Sequence, residues 1–100
     1  KMILLNNNFL GNVRQWQDMF FHHKRSFTPM CNPDFGLVAK AYDIPYRRVE
    51  NREDLPSAIN EMLATKGPFL LETIIKADAN VEPMTAPGQA VDEMMLNVEC

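Results

Sequence analysis

The hydrophobic pattern changes period several times along the chain. Met2 to Asn6 begins with a continuous apolar run, which suits a strand buried on both faces. Val13, Trp16 and Phe20 then recur at helical spacing with Arg14, Gln15 and Asp18 between them, which predicts a helix with one apolar face. Lys24 to Cys31 shows no period and contains Pro29, so it reads as a loop. A second helix is expected to open at Asn32-Pro33, because asparagine can cap and proline is tolerated at the first helical position. Phe35, Val38, Ala39 and Tyr42 would fall on one side of it. Ile44 to Val49 reads as a short strand weakened by Pro45, and Arg47 and Arg48 leave its register open.

A third helix carries Leu55, Ile59, Met62 and Leu63 as its apolar stripe and stops at Gly67-Pro68. Pro56 requires it to begin close to Glu53 or Asp54, since a proline deeper inside would break it. Phe69 to Ile75 is the clearest strand, and its near-continuous apolarity predicts a central place in a parallel sheet. Glu72 within that strand is expected to be partnered or at an edge, because buried carboxylates are normally paired. Strand and helix alternate, so the predicted class is α/β, a three-layer arrangement of a mostly parallel sheet with flanking helices. Ligands of such sheets bind beyond the carboxyl ends of strands. Residues 1–76 are expected to form this body. Residues 77–100 contain Pro83, Pro87 and Gly88 and read as an extended tail, with one helical turn at Asp92 to Leu96.

Charge and composition narrow the partners. The net charge is −3, and the basic residues are scattered except for His22-His23-Lys24-Arg25, so no broad electropositive face is offered to nucleic acid. The longest apolar runs fall far short of the ~20 residues a membrane helix requires, so no membrane partner is expected. No secretory signal is visible, and the expected compartment is cytoplasmic. Cys31 and Cys100 lack CxxC or zinc spacing and read as reduced thiols. His22 and His23 are adjacent, cannot share a helix face for a metal, and read as solvated surface.

The chemistry concentrates in Leu4-Leu5-Asn6-Asn7-Asn8-Phe9-Leu10-Gly11, where an apolar strand runs into amides and a glycine. Mg²⁺ is a hard cation that takes oxygen ligands, and an asparagine carbonyl supplies one without adding charge beside a diphosphate. Gly11 lets the backbone come close to a phosphate as the next helix begins. The same residues also suit a plain strand-to-helix turn whose asparagines satisfy backbone groups.

The longer string Asn6-Asn7-x-x-Leu10-Gly11-x-Val13-x-Gln15-Trp16-Gln17 resembles the second half of the thiamine-diphosphate motif in acetolactate synthase (acetohydroxyacid synthase) large subunits. The resemblance continues in Asn32-Pro33-Asp34-Phe35, in Met62 to Glu72, and in Val81-x-Pro83-Met84 with Gly88 and Asp92-Glu93-Met94, so it covers essentially the whole chain. It implies that Asn7 binds Mg²⁺ through its side-chain oxygen and that Phe9 supplies a main-chain oxygen as a further metal ligand. Leu10, Gly11 and Asn12 would bind thiamine diphosphate, with Asn12 standing where the family usually has a methionine. That departure bears on the shape of the active site and leaves the metal site intact. Trp16 matches a tryptophan that lines the substrate channel, influences the choice of the second 2-ketoacid and contacts channel-blocking herbicides. On spacing alone, plain core packing also suits it. Pro87 and Gly88 match the C-terminal stretch that closes over the channel, which assigns that role to the tail.

The family's large subunit is several times longer, and the resemblance places this chain in the C-terminal part of its last domain, as a partial thiamine-diphosphate-binding fold. A Gly-Asp-Gly segment is expected upstream, and the activating glutamate is expected from a pyrimidine-binding domain of a partner subunit. The isolated chain is therefore expected to be inactive. For the intact enzyme the resemblance implies condensation of two pyruvates, or of pyruvate with 2-ketobutyrate, with loss of carbon dioxide, on the route to branched-chain amino acids. FAD in the intact enzyme, a homo-oligomer of large subunits and a small regulatory subunit are implied in the same way. Two other readings stay open at this stage. One is a fragment of another thiamine-diphosphate enzyme, such as glyoxylate carboligase or a pyruvate oxidase; the other is a non-enzymatic α/β interaction module.

Overall fold

The structure is a computed structural model, and it describes residues 1–95. Leu96, where the expected helical turn was to end, and Cys100 lie outside the described residues. The chain divides into two compact units, residues 1–8 with 31–76 and residues 9–30 with the segment from 77 onward.

The first unit is built on a parallel three-stranded sheet. Its strands are β1 (Met2–Asn6), β2 (Tyr46–Val49) and β3 (Leu70–Ile74), in the order β1-β3-β2. Met2 is paired with Leu70 and Asn6 with Ile74 on one side of β3, and Tyr46 with Leu70 and Val49 with Thr73 on the other. The apolar run of β3 thus lies at the centre, as its sequence implied. Two helices belong to this unit, α2 (Phe35–Ala41) and α3 (Leu55–Ala64), while α1 (Gly11–Phe20) belongs to the second.

The alternation of side chains along a strand separates the two faces of the sheet. Val49 and Leu71 point to one face and form the core with Ala58, Met62 and Phe69, with Leu55 and Ile59 packed against it. That face is covered by α3, which also receives Arg47, whose guanidinium bonds Glu61 at 2.7 Å and Ser57 at 2.7 Å. Tyr46 and Glu72 point to the opposite face, where Gly36 of α2 comes so close to the Tyr46 ring that a Cβ would sit 2.9 Å from it. Helix, sheet and helix make three layers. Phe69, buried to 1% exposure, anchors the core; truncating such a side chain typically costs ~3–5 kcal/mol.

Several local expectations shift. Instead of being buried on both faces, β1 is an edge strand whose Met2, Ile3 and Leu5 are exposed, because the α3 core cluster reaches β2 and β3 and does not extend to β1. Helix α2 opens at Phe35, where the Asp34 side chain accepts from the Leu37 N–H at 3.0 Å and takes the capping role expected of Asn32. Of its expected face Ala39 is buried, whereas Val38 and Tyr42 are exposed. A 3₁₀ turn at Arg52–Asp54 leads into α3, which keeps Pro56 in its first turn. Of the expected α3 stripe Met62 is buried and Leu63 is exposed, and Ala58, outside that stripe, is buried in the core.

The second unit contains α1 and a short antiparallel pair, β4 (Met84–Thr85) with β5 (Met94–Met95). The strand β5 occupies part of the stretch expected to form a helical turn from Asp92, and Asp92 itself lies in a turn. Helix α1 inverts the usual amphipathic arrangement. Val13, Trp16 and Phe20 are exposed, and the buried positions are Gln15 and Asp18. Each buried polar group is satisfied, since Gln15 bonds the backbone of Val81 and Asp18 receives the Arg25 guanidinium through two bonds of 2.6 and 2.8 Å. The hydrogen bonds from Arg25, opposed by burial, hold the Asp18 carboxyl below its ordinary value.

Candidate functional site: an asparagine turn and an uncapped helix

Asn6 ends β1 and is buried beneath the turn that follows it. Its amide donates to Glu72 Oε1 at 2.7 Å, and its Oδ1 accepts from the Asn8 N–H at 3.0 Å and from Asn32 Nδ2 at 3.0 Å. Asn32 Nδ2 also donates to Asn8 Oδ1 at 3.1 Å. The residues on either side of Asn7 are therefore tied together by one side chain. Asn8 adopts a left-handed conformation at φ 57°, which asparagine tolerates better than most residues. Asn7, half-buried, is thus carried at the carboxyl end of a parallel strand, where α/β sheets place their ligands.

In the second unit, Phe9 is bridged to Pro29, and the Arg14 guanidinium stacks over its ring at 4.5 Å. Leu10 stands at the N-cap of α1 and donates its N–H to the Thr28 carbonyl at 2.9 Å. Gly11 is the first residue of the helix. No side chain caps this end, and its first turn contains no acidic residue, so the positive end of the helix dipole is left uncompensated by the helix's own residues. The buried hydroxyl of Thr28 has no hydrogen-bond partner among the described residues. An uncapped helix start suits an anion.

Asn12 and Trp16 are brought together. They line a cavity of ≈ 410 Å³ with Val13, Gln17 and Phe21. Trp16 is 45% exposed and meets Phe20 edge-on at 6.3 Å, which makes it a wall and not a core residue. Pro87 and Gly88 are exposed in the turn between β4 and β5 and do not line that cavity among the described residues. Gly88, at φ 84°, makes the turn. His22 and His23 are exposed, and no group of three His, Cys, Asp or Glu side chains among the described residues could hold a metal.

Sequence reading missed Asn32, Glu72 and Gln15 as organisers of these sites. Gln15 looks like an ordinary solvated residue opposite an apolar stripe. Asn32-Pro33 reads as a helix cap, a signal that points to the helix after it and carries nothing about the turn at Asn6 to Asn8. Glu72, expected to be partnered, is bound on both carboxylate oxygens, by Asn6 and by the Tyr46 hydroxyl.

The α/β fold is that of a thiamine-diphosphate-binding domain, and the chain belongs to the family described as thiamine pyrophosphate enzyme, C-terminal TPP binding domain, whose profile matches residues 1–73. Its relatives include the mitochondrial acetolactate synthase catalytic subunit of Saccharomyces cerevisiae, 40% identical over 95 residues, which is 95% of this chain and 14% of that protein. The chloroplastic acetolactate synthase 1 of Oryza sativa is 39% identical over 97% of this chain and 16% of its own length. The acetolactate synthase isozyme 2 large subunit of Escherichia coli is 38% identical over 95% of this chain and 18% of its own length. The chain thus spans under a fifth of the length of these relatives. Among the described residues no helix is long and apolar enough to cross a membrane.

Proposed function

We propose that this chain is the C-terminal part of the thiamine-diphosphate-binding domain of an acetolactate synthase catalytic subunit, which joins two pyruvates, or pyruvate and 2-ketobutyrate, with loss of carbon dioxide. The observation that supports it is the 38–40% identity spread over 95–97% of the chain with proteins named acetolactate synthase. Neither another thiamine-diphosphate enzyme nor an interaction module is favoured beside it.

The residues present fit the cofactor. The uncapped start of α1 offers backbone N–H groups to a diphosphate at Gly11 and Asn12, with Leu10 leading into it. The segment from Asn7 to Phe9 supplies neutral oxygens, the Asn7 side chain and the Phe9 carbonyl, of the kind Mg²⁺ takes when phosphate oxygens already bring negative charge. When bound, thiamine diphosphate supplies the electron sink for the carbon–carbon chemistry and Mg²⁺ anchors its diphosphate. Trp16 shapes the channel for the second ketoacid, and Pro87 and Gly88 belong to the segment that closes it. FAD, a homo-oligomer of large subunits and a small regulatory subunit complete the proposal. A cytoplasmic setting is included, and cell fractionation tests it, since two of the relatives are named for mitochondria and chloroplasts.

The direct test is Asn7→Ala in the full-length protein that carries this sequence. It is expected to raise the Mg²⁺ and thiamine diphosphate needed for half-maximal activity while the melting temperature stays near that of the parent. An unchanged cofactor requirement would remove Asn7 from the metal site. The chain of residues 1–100 alone is expected to show no micromolar affinity for the cofactor by calorimetric titration.

A further inference from the structure

Glu72 is the most deeply buried charged residue among the described residues, at 1% exposure, and nothing in the proposed chemistry uses it. Taking a carboxylate out of water costs several kcal/mol unless both oxygens are bonded. Here they are. Tyr46 donates its hydroxyl to Oε2 and Asn6 donates its amide to Oε1 at 2.7 Å. Burial first, and then the bond to Glu72, push the Tyr46 hydroxyl up to about 12, so it remains a donor at any physiological pH.

The consequence falls on Asn6. A carboxylate can only accept, so the end of the Asn6 amide that faces Glu72 must be the NH₂, and its oxygen must face the other way. That oxygen meets the Asn8 N–H and Asn32 Nδ2, and Asn32 closes the loop by donating to Asn8 Oδ1. Every link is polar and directional, and reversing any one amide would set donor against donor or acceptor against acceptor.

We propose that Glu72 and Asn32 are positioning residues for the metal-binding turn: Glu72 fixes the orientation of the Asn6 amide, and Asn32 ties Asn6 to Asn8, so that Asn7 is presented in one geometry. This inference rests on the reading of Asn7 as a Mg²⁺ ligand. It extends a general property of metal sites, in which partners behind the ligands typically control affinity by about 10- to 100-fold.

The test uses the full-length apoprotein and reads the dissociation constant for thiamine diphosphate with Mg²⁺ by calorimetric titration, alongside the apoprotein melting temperature. Asn32→Ala leaves no buried charge behind and is expected to weaken binding about 10- to 100-fold in a folded protein. Glu72→Leu is expected to do the same, and Glu72→Gln, whose carbonyl still accepts from Asn6, to restore most of the affinity. Tyr46→Phe is expected to lower the melting temperature with little change in binding, because the Asn6 bond survives it. Should Glu72→Leu fail to fold, Asn32→Ala and Glu72→Gln decide. Parental affinity in Asn32→Ala, together with weakened binding in Asn7→Ala, would overturn the positioning role and leave the ligand reading standing. Parental affinity in Asn7→Ala as well would sink the ligand reading itself. Weakening by Tyr46→Phe equal to that by Glu72→Leu would reduce the effect to general packing and overturn the proposal.

Discussion

The buried Gln15 side chain pairs with the backbone of Val81 through two bonds, donating to its carbonyl at 2.9 Å and accepting from its N–H at 2.9 Å. A single glutamine of α1 thus imitates a strand neighbour for the tail, and the Arg14 guanidinium adds a bond to the Ala77 carbonyl at 3.1 Å. Gln15→Leu keeps the volume and deletes both bonds. Val81 is itself exposed, so its freed groups can turn to water. The expected cost is that of two neutral hydrogen bonds, roughly 1–3 kcal/mol in total. A thermal melt reads that cost. Faster limited proteolysis near Val81 would locate the loosening in the tail.

Asp18 makes stability depend on pH in a definite direction. Its folded carboxyl lies below the ordinary 3.8 because Arg25 bonds the charged form. A depressed folded pKa contributes stability that is present above the unfolded value and is lost as pH falls through the folded one. The stability difference between the parent and Asp18→Asn is therefore expected to shrink as pH falls below ~4, the unfolded carboxylate value. Melts of both proteins across that range check it. A difference that persists undiminished well below pH ~4 would refute the assignment.

Trp16 is exposed at a cavity wall, so Trp16→Leu in the full-length protein is expected to cost much less than the ~3–5 kcal/mol of a buried aromatic truncation. If it lines the channel, the same change shifts the ratio of acetolactate to acetohydroxybutyrate and lowers inhibition by channel-blocking herbicides. A single methylene is worth only ~1–3 kcal/mol in such a pocket, so a shift of one order of magnitude is the expected scale. A competition assay with both ketoacids measures it. A large fall in melting temperature with an unchanged ratio would return Trp16 to the core.

Gly36 is required by the Tyr46 ring, since a Cβ there would lie 2.9 Å from Cε1 and 3.2 Å from Cδ1. The ring is tethered through its hydroxyl to Glu72 and cannot swing away freely. Gly36→Ala is expected to destabilise by ~1–3 kcal/mol, the usual cost of overpacking, which exceeds the ~1 kcal/mol of helix propensity it gains. Releasing the tether should ease the clash. The double variant with Tyr46→Phe is therefore expected to cost less than the sum of the two single changes, which denaturant unfolding of the four proteins would show.

Period and apolarity were enough to read the alternating elements and the central place of the Phe69 to Ile75 run, because these follow from backbone geometry and local burial preference. The string from Asn6 to Gln17 was enough to read the family, because the residues themselves carry it. What the chain alone could not show was which face of each element would be covered. The Val13, Trp16, Phe20 stripe predicts a buried face, yet it is exposed while Gln15 and Asp18 are buried. Periodicity records which residues share a face, and only tertiary neighbours such as Val81 and Arg25 decide whether that face is dry. Likewise, sequence placed Asn6, Asn7 and Asn8 together, but the tertiary fold alone brought Asn32, Tyr46 and Glu72 to them. Their hydrogen bonds span 24 to 66 residues, a separation at which no local preference acts, so the orientation of the asparagine turn is decided by the packing of the sheet.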